Sequence, residues 1–300
     1  ALAFGGNGTP PTLAATEEFN TGVAIGAWST GGDLNTARKY MAGAGTQTAA
    51  LGFAGASPVP VSALTESYNG TSWTEVNDLN TARYALGGAG TQTAALGFGG
   101  YTPGSSLALT EIWNGTNWTE VNDLNAARRY LAGTGATNTA ALAFGGTPNT
   151  AATETWNGTN WTEVNDLNTA RQALAGTGTN TAALAFGGNT GPGAVTETWN
   201  GTNWTEVGDL NTARAYLAGA GTNTAALAFG GANPSPGQVT ENYNGTSWAE
   251  VNDLNTARLA LAGAGTNTAA LAFGGNGTPP TLAATEEWNT GVAVGAWSTG

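Results

Sequence analysis

The feature that most constrains this chain is a hexapeptide that returns at a near-constant interval. Asp-Leu-Asn-Thr-Ala-Arg ends at Arg38, Arg83, Arg128, Arg171, Arg214 and Arg258, with Ala126 replacing Thr in the third copy, at intervals of 45, 45, 43, 43 and 44 residues. A period of that size overrides the one-or-two-domain expectation from 300 residues and points to an array of equal units.

One unit shows what each copy folds into. Arg171-Gln-Ala-Leu-Ala-Gly, Thr181-Ala-Ala-Leu-Ala-Phe-Gly-Gly, Thr196-Glu-Thr-Trp and Asn203-Trp-Thr-Glu-Val read as four short strands. Asn200-Gly201, between the third and fourth, predicts a two-residue type I′ hairpin turn, because Gly supplies positive φ. The turn recurs at Asn69-Gly70, Asn114-Gly115, Asn157-Gly158 and Asn244-Gly245; these pairs also match glycosylation sequons, but a turn is the simpler account. Asn168 to Gly176 carries the Asn cap and terminal Gly of a short helix as well. Two helical turns are marginal alone, whereas four short strands with regular turns fit a propeller blade.

An Arg-led strand, an apolar strand ending in Gly-Gly, a strand with Glu and an aromatic, then a Trp strand: this order resembles the kelch repeat over essentially the whole chain. Phe186-Gly187-Gly188, Tyr68 or Trp199, and Trp204 stand at the positions that carry the resemblance, and Ala54-Gly55 departs from the double glycine. The resemblance implies an all-β, kelch-like β-propeller of four-stranded antiparallel blades, the first strand lining the channel and the fourth outermost. The near-identical units also resemble kelch-like proteins predicted in marine phages, which implies a virion fibre or appendage and an extracellular or virion-surface location.

Independently of resemblance, Trp28, Trp73, Trp118, Trp161, Trp204, Trp248 and Trp297 recur once per unit. Each ring can bury ~150–250 Å², a gross ~4–6 kcal/mol before conformational entropy is subtracted. Six of the eight cations are the repeat Arg, and each unit has a Glu in its third strand, such as Glu197, so an internal Arg–Glu pair is expected as structural wiring.

Residues 1–300 are read as one propeller, with 1–31 and 270–300 as near-identical copies of one segment spanning a second, third and fourth strand. The chain opens at Ala1 in mid-strand and is read as part of a longer protein. The ring closes either over 1–269, beginning at a second strand and ending with a first, or over Arg38 to Gly300 without a clasp. Tyr40, Ala85, Tyr130, Ala173, Tyr216 and Ala260 alternate large and small two places after each Arg. An even ring preserves that alternation at its seam, which favours six blades over seven with one incomplete.

Units that repeat also reveal which positions the architecture leaves free. The connection between second and third strands varies (Ala56-Ser-Pro-Val-Pro, Tyr101-Thr-Pro-Gly-Ser, Ala232-Asn-Pro-Ser-Pro), as does the residue after Arg (Lys39, Tyr84, Arg129, Gln172, Ala215, Leu259). Because strands alternate direction, both variable sites emerge on one face, and variable loops on a fixed scaffold are where binding sites are built. The expected ligand-binding residues are Lys39, Tyr40, Tyr84, Tyr101, Arg129, Tyr130, Gln172 and Tyr216, with a carbohydrate or surface protein as ligand; the alternative is a purely structural spacer in a larger assembly of copies or neighbouring domains.

Composition narrows the chemistry. A net charge of −12 repels phosphate backbones, so nucleic acid is not an expected partner. No apolar run approaches the ~18 residues of a membrane helix, so no membrane insertion is expected. The chain has no His and no Cys, which removes thiol chemistry and the commonest general base, and the acidic residues apart from the second Glu of 17–18 and 286–287 occupy repeat positions. No catalytic residue and no cofactor is expected. Asp78, Asp123, Asp166 and their equivalents supply one carboxylate per loop, short of a Ca²⁺ shell, and read as turn caps rather than metal ligands.

Overall fold

Short apolar runs parted by Gly-containing turns pair with their sequence neighbours, and each unit becomes a four-stranded antiparallel meander. In the fourth blade Ala175–Gly178, Ala183–Phe186, Thr196–Trp199 and Trp204–Glu206 lie side by side in that order. The computed structural model describes residues 2–6, 13–20, 26–56, 61–189, 193–233, 235–290 and 296–299, and among them it contains strands and turns but no helix. Six such blades close a ring. Their inner strands, Ala42–Thr46, Gly87–Gly90, Ala132–Thr137, Ala175–Gly178, Ala218–Gly221 and Ala262–Gly265, adjoin one another around a central channel. The seven-blade arrangement is thereby excluded.

The expected Arg-led first strand lies elsewhere. Arg171 stands four residues before Ala175, and Ala173 between them has φ of 56°. A left-handed residue breaks the extended run, so the inner strand starts only after it. The Asn-Gly turn also differs. Tyr68 pairs with Trp73 across the four residues 69–72, and only Gly70 of the pair has positive φ, at 90°. The Asn69 Oδ1 atom accepts the amides of Thr71 and Ser72, both at 2.9 Å, and this side-chain capture of two donors sets the longer loop. Equivalent bonds from Asn114, Asn157, Asn200 and Asn244 show why Asn recurs there.

The core lies between blades. Each second strand is sandwiched by its neighbours, so Leu184, Ala185 and Phe186 are fully buried. The Phe ending it packs on the outer-strand Trp of the next blade: Phe144 on Trp204 at 4.9 Å between centroids, Phe186 on Trp248 at 5.0 Å, Phe229 on Trp28 at 5.0 Å and Phe273 on Trp73 at 4.8 Å. Every one of these indoles also donates Nε1–H to the Thr that opens the third strand of the preceding blade, as Trp204 does to Thr153 at 3.1 Å and Trp28 to Thr240 at 3.1 Å.

Inside each blade the anticipated ion pair is present. Arg38–Glu66, Arg83–Glu111, Arg128–Glu154, Arg171–Glu197, Arg214–Glu241 and Arg258–Glu286 are all buried. Burial alone would push each guanidinium pKa down, and the partnering carboxylate opposes this. The Glu does more than balance charge: Glu197 Oε2 accepts the Asn168 amide at 2.7 Å and its Nδ2 at 2.9 Å, while Arg171 also donates to the carbonyls of Gly187, Ala185 and Val195. The repeat Asp is a cap, Asp166 Oδ1 accepting the Thr153 amide at 3.1 Å and Asp78 that of Thr65 at 3.0 Å.

The ring uses neither closure expected from the repeat count. Ala262–Gly265, Ala269–Phe273 and Thr285–Asn289 form the first three strands of the sixth blade, and Ala27–Thr30, from the other end of the sequence, is its outer strand. Asp33, following that strand, caps the Thr285 amide at 3.2 Å, so the clasp reproduces the contacts of a continuous blade. Leu2–Gly6, Leu13–Asn20 and Ala296–Thr299 form a separate three-stranded sheet.

Candidate functional site

The site is built on the six connections that enter the inner strands. In each, the buried Arg fixes the chain, and the residue after it meets the residue that follows the double glycine, or Ala54-Gly55 in the first blade. Lys39 bridges Ala56, Tyr84 bridges Tyr101, Arg129 bridges Thr147, Ala215 bridges Ala232 and Leu259 bridges Asn276, while the Asn189 amide donates to the Gln172 carbonyl at 3.0 Å. The two variable positions of every unit are thus backbone partners on one face. The double glycine makes this approach feasible: Gly146 has φ of 116°, and a Cβ there would lie 3.0 Å from the Arg129 carbonyl oxygen.

One residue further, all six chains turn left-handed, at Tyr40 (56°), Ala85 (57°), Tyr130 (53°), Ala173 (56°), Tyr216 (57°) and Ala260 (55°). The reason is visible in the hydrogen bonds. Ala85 donates its amide to the Tyr40 carbonyl, Tyr130 to Ala85, Ala173 to Tyr130, Tyr216 to Ala173, Ala260 to Tyr216 and Tyr40 to Ala260, each at 2.7–2.8 Å. These six bonds form a closed hoop around the channel mouth. Left-handed conformation costs a non-glycine residue ~1–2 kcal/mol, comparable with the net worth of the bond it permits.

Alternation of Tyr and Ala on this hoop gives the mouth threefold character. The rings of Tyr40, Tyr130 and Tyr216 converge with centroids 5.6–5.9 Å apart and interplanar angles of 67–84°, the edge-to-face geometry aromatic rings prefer. Ala85, Ala173 and Ala260 leave space between them, and the channel below is lined by Gly43, Gly88, Gly133, Gly176, Gly219 and Gly263. Burial and mutual proximity push the Tyr40 and Tyr130 phenols above their ordinary pKa, Arg129 opposing this at Tyr130. Both are therefore neutral hydroxyls able to donate and accept at physiological pH.

From this trio an aromatic strip runs outward over two blades. Tyr40 lies 5.9 Å from Tyr84, Tyr84 lies 5.4 Å from Tyr101 at 71°, and the Arg129 guanidinium sits 4.3 Å above the Tyr101 ring and 5.9 Å from that of Tyr130. Six of the eight anticipated residues, Tyr40, Tyr84, Tyr101, Arg129, Tyr130 and Tyr216, are therefore one contiguous cluster. Lys39 and Gln172 flank it: the Lys39 Nζ donates to Asn276 Oδ1 at 3.3 Å, and the Thr147 hydroxyl bonds Gln172 Oε1. All eight are partly exposed.

Charge is distributed to match. With six of eight cations buried in ion pairs, the two others, Lys39 and Arg129, both lie on this face, inside a rim of exposed aspartates such as Asp78 and Asp123. Thr147 and Asn276 were missed as site neighbours, although the position after the double glycine varies in step with the position after Arg. Among the described residues no cluster of three His, Cys, Asp or Glu has metal-binding geometry, and no helix is long and apolar enough to cross a membrane.

The fold defines the class: a six-bladed β-propeller of four-stranded blades. Comparison with protein-family models and with curated proteins finds no match.

Proposed function

We propose that this propeller is a non-catalytic recognition module that seats a carbohydrate on the face formed by the double-glycine connections. The observation that carries the reading is the Tyr84–Tyr101–Arg129 stack. Other blades place Lys, Gln, Ala or Leu after the Arg and Ala, Thr or Asn after the glycines, so the architecture does not require this stack. Aromatic faces stack on the apolar face of a sugar ring, while the hydroxyls of Tyr40, Tyr84 and Tyr130, with the Lys39 ammonium and the Gln172 amide, meet its polar edge. Arg129 and Lys39 favour a saccharide with carboxylate or sulfate groups.

The repeat motifs, which resemble kelch units and kelch-like proteins predicted in marine phages, support placing the module on an extracellular or virion surface, as part of a fibre or appendage. A glycan and cell-surface array tests the function. The unmodified protein is expected to bind a restricted set of glycans, and Tyr84→Ala or Arg129→Ala to weaken that binding at least ~10-fold, as loss of a central aromatic or Arg anchor does. Thr159→Ala, on the opposite face, should leave binding unchanged. Silence across the array, or loss with Thr159→Ala alone, overturns the reading; silence favours the structural spacer.

A further inference from the structure

Residues 1–31 recur at 270–300 with two differences, Phe19 against Trp288 and Ile25 against Val294. Each copy holds a third strand and an outer strand, and in the other five blades a third strand pairs with the outer strand that follows it. Here the partners are crossed. Ala27–Thr30 pairs with Thr285–Asn289 through Glu286↔Thr30, Glu287↔Ser29, Trp288↔Trp28 and Asn289↔Ala27. Ala296–Thr299 pairs with Leu13–Asn20 through Glu17↔Thr299, Glu18↔Ser298, Phe19↔Trp297 and Asn20↔Ala296, in the same register.

Both outer strands read Ala-Trp-Ser-Thr, so the backbone ladder cannot distinguish them. Register is ordinarily specified because a slip moves every side chain to the wrong face, but here two strands offer the same faces in the same register. Over the paired residues the two strands are equivalent, and what accompanies Ala27–Thr30 in particular is Asp33, which lies outside the repeated segment and caps the Thr285 amide. The slot itself is richly bonded. A strand entering it gains the Trp28 contacts to Thr240, Phe229 and Trp288, the Asn252 bond to the Gly26 carbonyl at 2.8 Å, the Asn255 bond to the Trp28 carbonyl at 3.2 Å and the Asp33 cap on Thr285.

We propose that this slot is a strand-exchange junction between copies of the chain: Ala27–Thr30 of one copy closes the sixth blade of another, in the register it uses within a single chain. The contacts made by residues 26–30 transfer intact, which is what makes exchange of identical elements a low-cost route to oligomers. The single-chain closure prevails at low concentration because a tethered strand has an effective concentration of order mM, and exchange is favoured when many copies fold together. Coupled copies present several carbohydrate-facing mouths in one particle, but the junction does not depend on what those mouths bind.

The absence of cysteine from the sequence makes the test clean. Ser29 and Glu287 are direct cross-strand partners, so Ser29→Cys and Glu287→Cys place two thiols in reach of a disulfide. In the double variant S29C/E287C at high dilution, mild oxidation is expected to close the bond within one chain. When the two single variants, one isotopically labelled, are denatured together, co-refolded and oxidised, a disulfide-linked pair containing one chain of each is expected. Its fraction should rise with concentration over a roughly tenfold range. If the double variant closes within one chain while the co-refolded singles give no mixed pair, the junction is not exchangeable; if the double variant fails to close, the slot is not filled as described. Either result overturns the proposal.

Discussion

Arg171 is fully buried, donates to three backbone carbonyls and meets Glu197 at 3.1 Å, while Glu197 holds Asn168 by two further bonds. The pair ties the incoming connection, the end of the second strand and the third strand into one unit. A buried ion pair seldom exceeds a well-packed apolar replacement in stability, but losing one partner strands the other. Arg171→Met is therefore expected to destabilise by ~3–5 kcal/mol, with Arg171→Met/Glu197→Met recovering part of that, as measured by chemical denaturation. The pairing was legible in the sequence because both residues repeat with the period. Its geometry was not, since the further partners are backbone carbonyls that every residue carries.

At the scale of the element, the inner connection shows where strand reading stops. Residues 171–176 look extended by composition, yet the left-handed turn at Ala173 belongs to the hoop of backbone bonds, and a hoop that passes through every blade has no signature within one unit. Ala is an unusual occupant of such a position, and Gly would adopt it without strain. Ala173→Gly is expected to change stability by less than ~0.5 kcal/mol, relief of strain offsetting the greater entropy of the unfolded chain. Ala183→Gly, in a fully buried second strand, should instead cost at least ~1 kcal/mol, through lost burial and backbone entropy. Thermal unfolding of the two variants side by side decides the point. The four-residue Asn-Gly loops teach the same lesson: the sequence marks a turn, while the Oδ1 capture of two amides chooses its length.

For the whole molecule, closure is the decisive event. The contacts Phe229–Trp28 and Phe273–Trp73 and the bonds Trp28–Thr240 and Trp73–Thr285 exist only when the ring is complete. Trp204→Ala should cost ~3–5 kcal/mol, the usual range for a buried Trp. Trp28→Ala is expected to cost less, because Ala296–Thr299 offers the same sequence to the vacated slot. The double variant Trp28→Ala/Trp297→Ala should then cost more than the two single changes combined, a coupling that denaturant melts of the four proteins would reveal. Additive costs would show that the second copy has no access to the slot.

The sequence by itself determined the repeat, the four strands of a blade, the once-per-unit indole, the buried Arg–Glu pair, the preference for an even ring and the face on which variation gathers. These follow from periodicity and local preference, which act over a few residues and are written again in each unit. Only the tertiary structure decided which strand closes the ring, that the channel mouth is hooped by backbone bonds, and that Tyr84, Tyr101 and Arg129 from two blades stack beside a tyrosine trio. Each of these joins residues from different blades, and the motif shared by the units carries no mark of which neighbour a unit will meet. That choice belongs to the geometry of the closed ring.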